Sequence, residues 1–475
     1  MTGTVATGPL VLALVVALGI SLAFQASLVG EFGSDSVTTP DSLEYIRLAK
    51  RIGAFLGDPS VGVGDDLRPP SYALLLNAAA KLAGVEPSEA SIELRNWGGT
   101  NPQGRALVKA TILIQHVIGL LIPIALFWLA YLVVRSPWLA LLVSLVYMLD
   151  LPSVSDQFVL LPETLAQLLV VTMLCLGGWT LRAPSWRKIV VLAITTGLGV
   201  WTKAALLVLV PGIALVIVLA DWRCWRVGLR RGLVYLAVVS CFLLSWALAN
   251  HHARDRFFFT KNLSITLQNY SARHFAATDV NDPRLAVLQD NVRQALQTSP
   301  NYAIKRAYPE TAAALGLRDN FQIYLFADEV NYLVLRRTWP QFLREALARN
   351  GQAWSDRFRD VKNIYVTREL SAFCNRDLRR YNRLLLGRHA GDALLALIAL
   401  TIALHRRDRL LITTLLFFYL CAVSFVFAAA ALDEVEVPRH AMAVRPVINA
   451  LSVLCFGLVV RRLVLHRLRR AEHAL

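Results

Sequence analysis

Residues 38–52 read TTPDSLEYIRLAKRI, and residues 67–82 read LRPPSYALLLNAAAKL. Thr39 before Pro40 marks a helix start, because a threonine hydroxyl caps free amides and proline suits the first helical position. From there Asp41, Tyr45, Leu48 and Ile52 recur at i, i+4, i+7 and i+11, one stripe of a helix. Arg47, Lys50 and Arg51 point off that stripe. A helix with one apolar and one cationic face lies in a membrane interface rather than across it. Asp41 stands at the mouth of the stripe, where burial holds a carboxylate near other groups, and is read as the centre of a site. The plain alternative is an aspartate that complements the helix dipole.

The chain around this stretch is 475 residues long and 56% hydrophobic, with a mean hydropathy of +0.50. Several apolar runs reach the roughly 20 residues that cross a bilayer. The formal net charge of +16 does not imply nucleic acid, since the basic residues recur in short clusters between apolar runs instead of on one soluble domain. Ten spans are expected, at 9–28, 107–134, 137–152, 162–181, 189–202, 204–220, 232–249, 388–404, 410–432 and 441–460. The first lacks the basic leader and cleavage site of a secretory signal.

The positive-inside rule orients these spans. Arg135, the Arg182–Lys188 cluster, Arg223–Arg231, Arg406–Arg409 and the arginines from Arg461 onward fall on one side, taken as cytoplasmic. Both termini are therefore expected there, in the plasma (inner) membrane. Two long polar segments, 29–106 and 250–387, fall on the external side and are expected to be mainly helical. The resulting expectation is an all-α polytopic membrane protein. An N-terminal transmembrane module (1–249) carries the first loop, the large loop (250–387) follows, and C-terminal helices with a basic tail (388–475) close the chain. In the large loop, residues 331–354 have helical periodicity, with Trp339-Pro340 expected to open a new turn, and Asp279–Pro283 and Thr298–Pro300 read as loops. Only Cys374 falls in an external loop, so no disulfide is expected there.

Four external clusters carry candidate chemistry. Asp35 and Asp41, with Glu44 near, are the carboxylates. Arg68-Pro69-Pro70-Ser71-Tyr72 aims Arg68 at the membrane surface, or is simply a rigid turn opening the next helix. Glu163 follows Pro162 at the mouth of a span, where it either caps the helix or faces a pocket. Arg439, His440 and Arg445 meet the last span, as phosphate ligands or as interface anchors. Lys203 lies between apolar runs, where a lone cation is costly unless it meets an anion or snorkels outward. Carboxylates and cations on one side of a membrane suit a reaction in which a lipid-phosphate leaves a sugar. The carboxylate takes the acceptor's proton, and the cations steady the departing phosphate. Fixed cations suffice for a monophosphate without a metal. A divalent cation is the other option, if Asp35, Asp41, Glu44 and Glu163 converge, and spacing assigns no metal site.

PDSLEYIRLA, RPPSYALLL, LLPETLAQLL, GLGVWTKAALLVLVP, SWALANHHARDRFFFTKN and VPRH, in that order, resemble the GT-C superfamily of integral-membrane glycosyltransferases. The likeness is to the branch of protein O-mannosyltransferases and the lipid A aminoarabinose transferase, and it covers roughly the first 270 residues. It implies a GT-C-like fold and inverting transfer from a polyprenyl-phosphate sugar on the external face, to a protein, lipid or glycan hydroxyl. It carries Asp41 over as the catalytic acid of a D-x-x-x-Y-x-x-x-A pattern with Tyr45 and Ala49. Tyr45, Tyr72 and Glu163 are then expected in the substrate pocket, and Arg68, Lys203, Arg439 and His440 at the donor phosphate. The classical branch has Asp-Glu where this chain has Asp41-Ser42, which keeps Asp35 as a rival base. The VPRH cluster is shorter than the family's pattern. A ligase or polymerase of O-antigen type is the rival enzyme, working through Arg336, Arg337 or His389. A transporter is the third reading, weakened by the absence of a visible repeat.

Overall fold

The structure is a computed structural model that describes residues 7–32, 38–91, 102–220, 224–276, 282–298, 303–317, 319–356, 398–402, 404, 409–432 and 442–474. Among these residues every regular element is helical. Helices lie over nine of the ten apolar segments: α1 (Thr7–Phe32), α4 (Pro102–Val134), α5 (Pro137–Leu149), α6 (Glu163–Arg182), α7 (Trp186–Thr202), α8 (Leu209–Ala220), α9 (Trp225–Arg254), α14 (Arg409–Leu432) and α15 (Arg445–Ala474). The segment at 388–404 lies largely outside the described residues. Gly8–Glu31, Pro102–Val134, Glu163–Arg182 and Trp225–Arg254 are long and apolar enough to cross a membrane, and Pro137–Leu149, Ala204–Ala220, Leu411–Phe427 and Arg445–Val460 are shorter apolar helices. By length and composition this is an integral membrane protein.

α4 packs against α1, α5 and α6, while α9 packs on α7 and α8, and α15 closes against α5. The shared core is aliphatic and aromatic, with Phe127, Phe158, Tyr235, Phe417 and Phe425 fully buried. Exposed Val11, Val15, Leu22, Val117, Leu215 and Leu233 form the outward apolar surface that lipid would cover.

Two shorter helices cap one end of the bundle. α2 (Pro40–Gly57) and α3 (Pro70–Ala83) pack on each other, and α3 also packs on α4 and α7. Tyr45, Leu48 and Ile52 are buried in α2 while Arg47 and Lys50 are exposed, as the stripe requires. α3 opens on Pro70 and stops at Gly84, whose φ of 66° is the left-handed cap that glycine adopts without strain.

The second loop builds its own small core from α10 (Gln268–Phe275), α11 (Pro283–Thr298), α12 (Ala303–Ala314) and α13 (Asn320–Asp356), centred on Phe275, Leu288, Val292, Ala327 and Val334. Pro340 does not open a new turn: α13 runs through it for 37 residues. A proline costs one intrahelical bond and a clash. The packed face on either side, Val334 and Ala346, keeps the helix continuous here. Of the loops read at 279–283 and 298–300, residues 279–281 and 299–300 lie outside the described residues, as does Cys374, while Pro283 and Thr298 are the ends of α11.

Candidate functional site

Thr39 starts α2 with a reciprocal cap: its hydroxyl accepts from the Ser42 amide at 3.3 Å, and its own amide donates to the Ser42 hydroxyl at 3.0 Å. That cap fixes the first turn, and so the direction in which Asp41 and Glu44 leave it. Both reach Arg68. Its Nη2 donates to Asp41 Oδ1 at 2.7 Å and its Nε to Glu44 Oε2 at 2.6 Å. One planar guanidinium thus spans two carboxylates a turn apart, which its fork permits and a lysine would not.

Arg68 is held from three directions. Asp65 Oδ1 accepts from the Leu67 and Arg68 amides at 2.9 and 2.8 Å, and Pro69-Pro70 stiffen the chain beyond. The guanidinium lies 5.4 Å from the Tyr45 ring centroid, and Tyr45 meets Tyr72 edge-on at 5.1 Å. Tyr72 in turn donates to Gln115 Oε1 at 2.7 Å, and the Gln115 amide donates to the carbonyls of Gln157 and Val159, both at 2.8 Å. Gly119 leaves room for the Gln157 side chain beside this step, because a Cβ there would fall 2.4 Å from it.

Burial pushes the Glu44 carboxyl above its ordinary range, and the Arg68 charge opposes that shift without cancelling it. Burial also works against the charge of Arg68, but Tyr45, Asp41 and Glu44 outweigh it and hold the guanidinium more firmly protonated than usual. Burial raises the Tyr72 hydroxyl well above its normal value, with Glu163 adding to it, so Tyr72 stays a neutral donor.

Below Tyr72 lies a drier group of charges. α7 ends at Thr202, and Lys203 is extended before a tight turn over Ala204–Val208 leads into α8. This break turns the Lys203 ammonium to Glu163 Oε1 at 3.3 Å, with both residues under a tenth exposed. Asp156 accepts from the Gln167 amide at 2.7 Å. Burial first, then the Glu163 charge, raises its carboxyl well above the usual range. Beyond it Asp150 accepts from Arg445 Nε at 2.7 Å, from Asn449 at 2.9 Å and from the Ser153 hydroxyl at 2.5 Å.

The first loop is tied to the second by a clamp. Arg254, at the end of α9, makes two 2.9 Å bonds to Asp66 and a 3.3 Å bond to Asp319. The Asn250 side chain accepts from the Asp65 amide at 2.9 Å and donates to the carbonyls of Phe258 and Phe259 at 3.1 Å. Beside this clamp are two openings, of about 410 Å³ and about 110 Å³, which share Arg51 and Arg254 as walls. Glu44 and Tyr324 line the smaller.

The structure therefore brings together Asp41, Tyr45, Arg68 and Tyr72, and places Glu163 with Lys203 directly beneath. Asp35, Arg439 and His440 lie outside the described residues. Among the described residues no group of three or more His, Cys, Asp or Glu side chains is gathered to hold a metal ion. Lys203, expected as a lone cation, is an ion-pair partner. Sequence reading gave no role to Asp150, Asp156 or Asn449, and read Arg445 as a phosphate ligand or an interface anchor, where the structure makes it the buried partner of Asp150. The available signal was an Asp or Arg at the very edge of an apolar run, where a charge must find its counterpart.

Residues 64–252 match the family model for dolichyl-phosphate-mannose-protein mannosyltransferases. The match includes Arg68, Tyr72, Glu163 and Lys203 and begins after Asp41. Among solved structures the chain is similar to the archaeal oligosaccharyltransferase AglB from Archaeoglobus fulgidus in complex with an inhibitory peptide and a dolichol-phosphate. The TM-score is 0.50 and the identity 16%, over 98% of this chain and 52% of that one. A second structure of the Archaeoglobus fulgidus oligosaccharyltransferase, in complex with Zn and sulfate, gives a TM-score of 0.50 at 15% identity, over 95% of this chain and 49% of that one. The chain spans about half the length of these structures, and at such identity the likeness concerns the fold. No curated protein matches the chain. The expected resemblance is matched by a mannosyltransferase-family model over residues 64–252, and the fold is similar to that of the archaeal oligosaccharyltransferase.

Proposed function

We propose that this protein is an inverting glycosyltransferase that moves a sugar from a polyprenyl-phosphate donor to an acceptor hydroxyl at the extracytoplasmic face of the plasma membrane. The family match over 64–252 and the GT-C fold support the reaction class, and the AglB structure of the same fold holds an isoprenoid phosphate, dolichol-phosphate. The single observation that carries the reading is the Arg68 fork across Asp41 and Glu44 at the bundle's capped end. A general base needs a carboxylate that an acceptor can reach, and the Asp41 and Glu44 side chains are only partly buried beside the Arg68 charge.

In this reading Asp41 takes the proton of the acceptor hydroxyl. The acceptor oxygen bonds to the anomeric carbon from the face opposite the phosphate, and the bond from that carbon to the phosphate oxygen breaks with its electron pair. The polyprenyl phosphate leaves with the added negative charge, which Arg68 and Lys203 steady. Lys203 reaches phosphate by exchanging Glu163 for it. Tyr45 and Tyr72 shape the pocket by bracing Arg68, and Glu163 sets the resting place of Lys203. Residues 1–249 form the catalytic module, 250–387 the large outer loop and 388–475 the closing helices. The basic clusters put both termini in the cytoplasm.

The test is to give purified protein in lipid nanodiscs a set of radiolabelled polyprenyl-phosphate sugars with a membrane extract. One donor should be consumed, its label should appear in an acceptor with inverted anomeric configuration, and Asp41→Asn should abolish the transfer. Full transfer by Asp41→Asn, or no consumption of any donor, would overturn the proposal.

A further inference from the structure

The smaller opening beside the Arg254 clamp is formed jointly by the first loop, the end of α9 and the start of α13, and the larger by the first loop and the end of α9. Four carboxylates line the smaller one, from Glu44, Asp65, Asp66 and Asp319. Three guanidiniums, from Arg47, Arg51 and Arg254, face them. With the two signs nearly balanced, the field selects neither a phosphate nor an ammonium group. Leu67 is the one aliphatic side chain in that lining, so the walls offer a lipid tail almost nothing to bury against. Arg254 is paired with Asp66 and Asp319, Arg51 with Asp65 and Arg47 with Glu89. What the walls offer is therefore the carboxylate lone pairs and guanidinium N–H groups these pairs leave over, acceptors beside fixed donors, the pattern that satisfies a ligand whose hydroxyls both donate and accept. Tyr324 adds a ring at the edge.

The larger opening continues this character. Its walls pair Arg51, His252 and Arg254 with small residues, Gly62, Gly64 and Ala253. Gly64 is forced to be small, since a Cβ there would sit 2.7 Å from Ala253 Cβ and 2.9 Å from Asn250 Oδ1. Gly62 is not, because a Cβ would meet Ala253 at an ordinary 3.7 Å, and the room beyond it stays open.

From these observations we infer that the cleft between the two loops is an acceptor subsite for a neutral carbohydrate, whose hydroxyls bridge the carboxylates and guanidiniums of its walls and one of which is delivered to the Asp41–Glu44 pair. Glu44 belongs to both places: its carboxyl lines the cleft and shares Arg68 with Asp41. The inference rests on the glycosyl-transfer reading for its outcome, but not for the binding itself. An extended peptide is the less suitable occupant. Among the described residues there is no sheet edge to pair its backbone, and the walls of the smaller opening are ionic side chains instead of apolar pockets.

Saturation-transfer NMR on the full-length protein in nanodiscs tests this without any donor. The probes are methyl mannoside and methyl arabinofuranoside disaccharides, and a neutral hexapeptide containing Ser and Thr. Saturation should pass to at least one glycoside and not to the peptide. Gly62→Leu, which fills the larger opening, and Tyr324→Ala, which strips its neighbour, should each cut the transfer at least fivefold while the melting temperature holds. If a variant unfolds, Asp319→Asn replaces it with the same expected loss. Transfer to neither glycoside, transfer to the peptide instead, or transfer untouched by all of these variants would overturn the inference. Donor hydrolysis to water, measured in parallel, needs no acceptor. If donor is cleaved while no glycoside binds, the subsite falls alone. Glycoside binding by a protein that cleaves no donor sinks the glycosyl-transfer reading and leaves the subsite standing.

Discussion

The Arg68 network and the seam from Lys203 to Arg445 use the same residue types, and water separates them. Around Arg68 the Asp41 and Glu44 side chains keep 26% and 33% of their surface. Around Arg445 the figures fall to 7% for the arginine and 0% for Asp150. A partly wet pair is worth little on its own and is easily exchanged for a substrate. A dry pair is costly to assemble, but once assembled it is costlier still to leave half made. The first therefore has the properties of a working site, and the second those of a joint that sets where α5, α6, α7 and α15 meet. Lys203 stands between the two descriptions: dry like Arg445, but next to Tyr72 and so to the working site.

The largest effect that separates the two regions is on turnover. Asp41→Asn removes the proposed base without changing shape, and donor consumption should fall by about 10²–10⁴-fold. Binding of donor, followed by equilibrium dialysis of labelled lipid, should change by less than tenfold. Equal loss of both would place Asp41 in ground-state binding and erase the distinction drawn here.

Next come the dry pairs. Arg445→Met strands the Asp150 charge and should cost about 3–5 kcal/mol, read as a lower melting temperature in detergent, whereas Asp150→Asn with Arg445→Met should recover most of it. The same cycle at Glu163 and Lys203 sharpens the comparison. If Lys203 only matches Glu163, the double variant Glu163→Gln/Lys203→Met regains both stability and donor affinity. If Lys203 also meets phosphate, as proposed, stability returns and donor affinity does not.

A smaller effect is on pH. Glu44 has a raised carboxyl because burial outweighs the help of Arg68. Turnover needs the carboxylate pair ionised, so the acid limb of the rate profile should lie above the ordinary carboxylate range. Arg68→Gln removes the cation that opposes the shift, and should move the limb to still higher pH. The sign for stability is opposite to that of a salt-bridged acid. A carboxyl raised in the folded state contributes stability fully at pH below its unfolded value, and that contribution is lost as pH rises through the folded value. A limb that moves down in Arg68→Gln would mean another group limits the rate. Because Asp41 and Glu44 share one guanidinium, the limb reports the pair.

Much of the wet region could be read in the chain itself. Thr39-Pro40 announced a helix start, the Tyr45–Leu48–Ile52 stripe gave its buried face, and Arg68-Pro69-Pro70 gave the second helix start. What pairs with what was not legible, because Asp41 and Arg68 lie 27 residues apart and meet only through the α2–α3 packing. The dry region was less legible still. Asp150 and Arg445 are 295 residues apart, and each alone reads as a helix end near water. Lys203 looked solitary for the same reason, its partner Glu163 being 40 residues away across the α6–α7 pair. Pro340 misled because local propensity predicts a break that the packing of α13 overrides.

The smallest effect tests whether the wet site owes its geometry to local capping, as the dry one owes its geometry to burial. Thr39→Ala leaves the Ser42 amide without its hydroxyl partner and should cost about 1 kcal/mol. That is too little to unfold a bundle braced by α4 and α6, so the loss should appear only in the first turn of α2. Amide exchange there, at Asp41 to Glu44, should rise about fivefold, as a 1 kcal/mol change in local opening requires, with α4 and α6 unchanged. Turnover should fall by a similar factor, because a carboxylate on a fraying turn spends less time on Arg68. Replacing Thr39 by Ser should restore both, since a hydroxyl is what the cap needs. If exchange rises and turnover does not, then Arg68 alone holds Asp41 in place, and the capped start of α2 is incidental to the site.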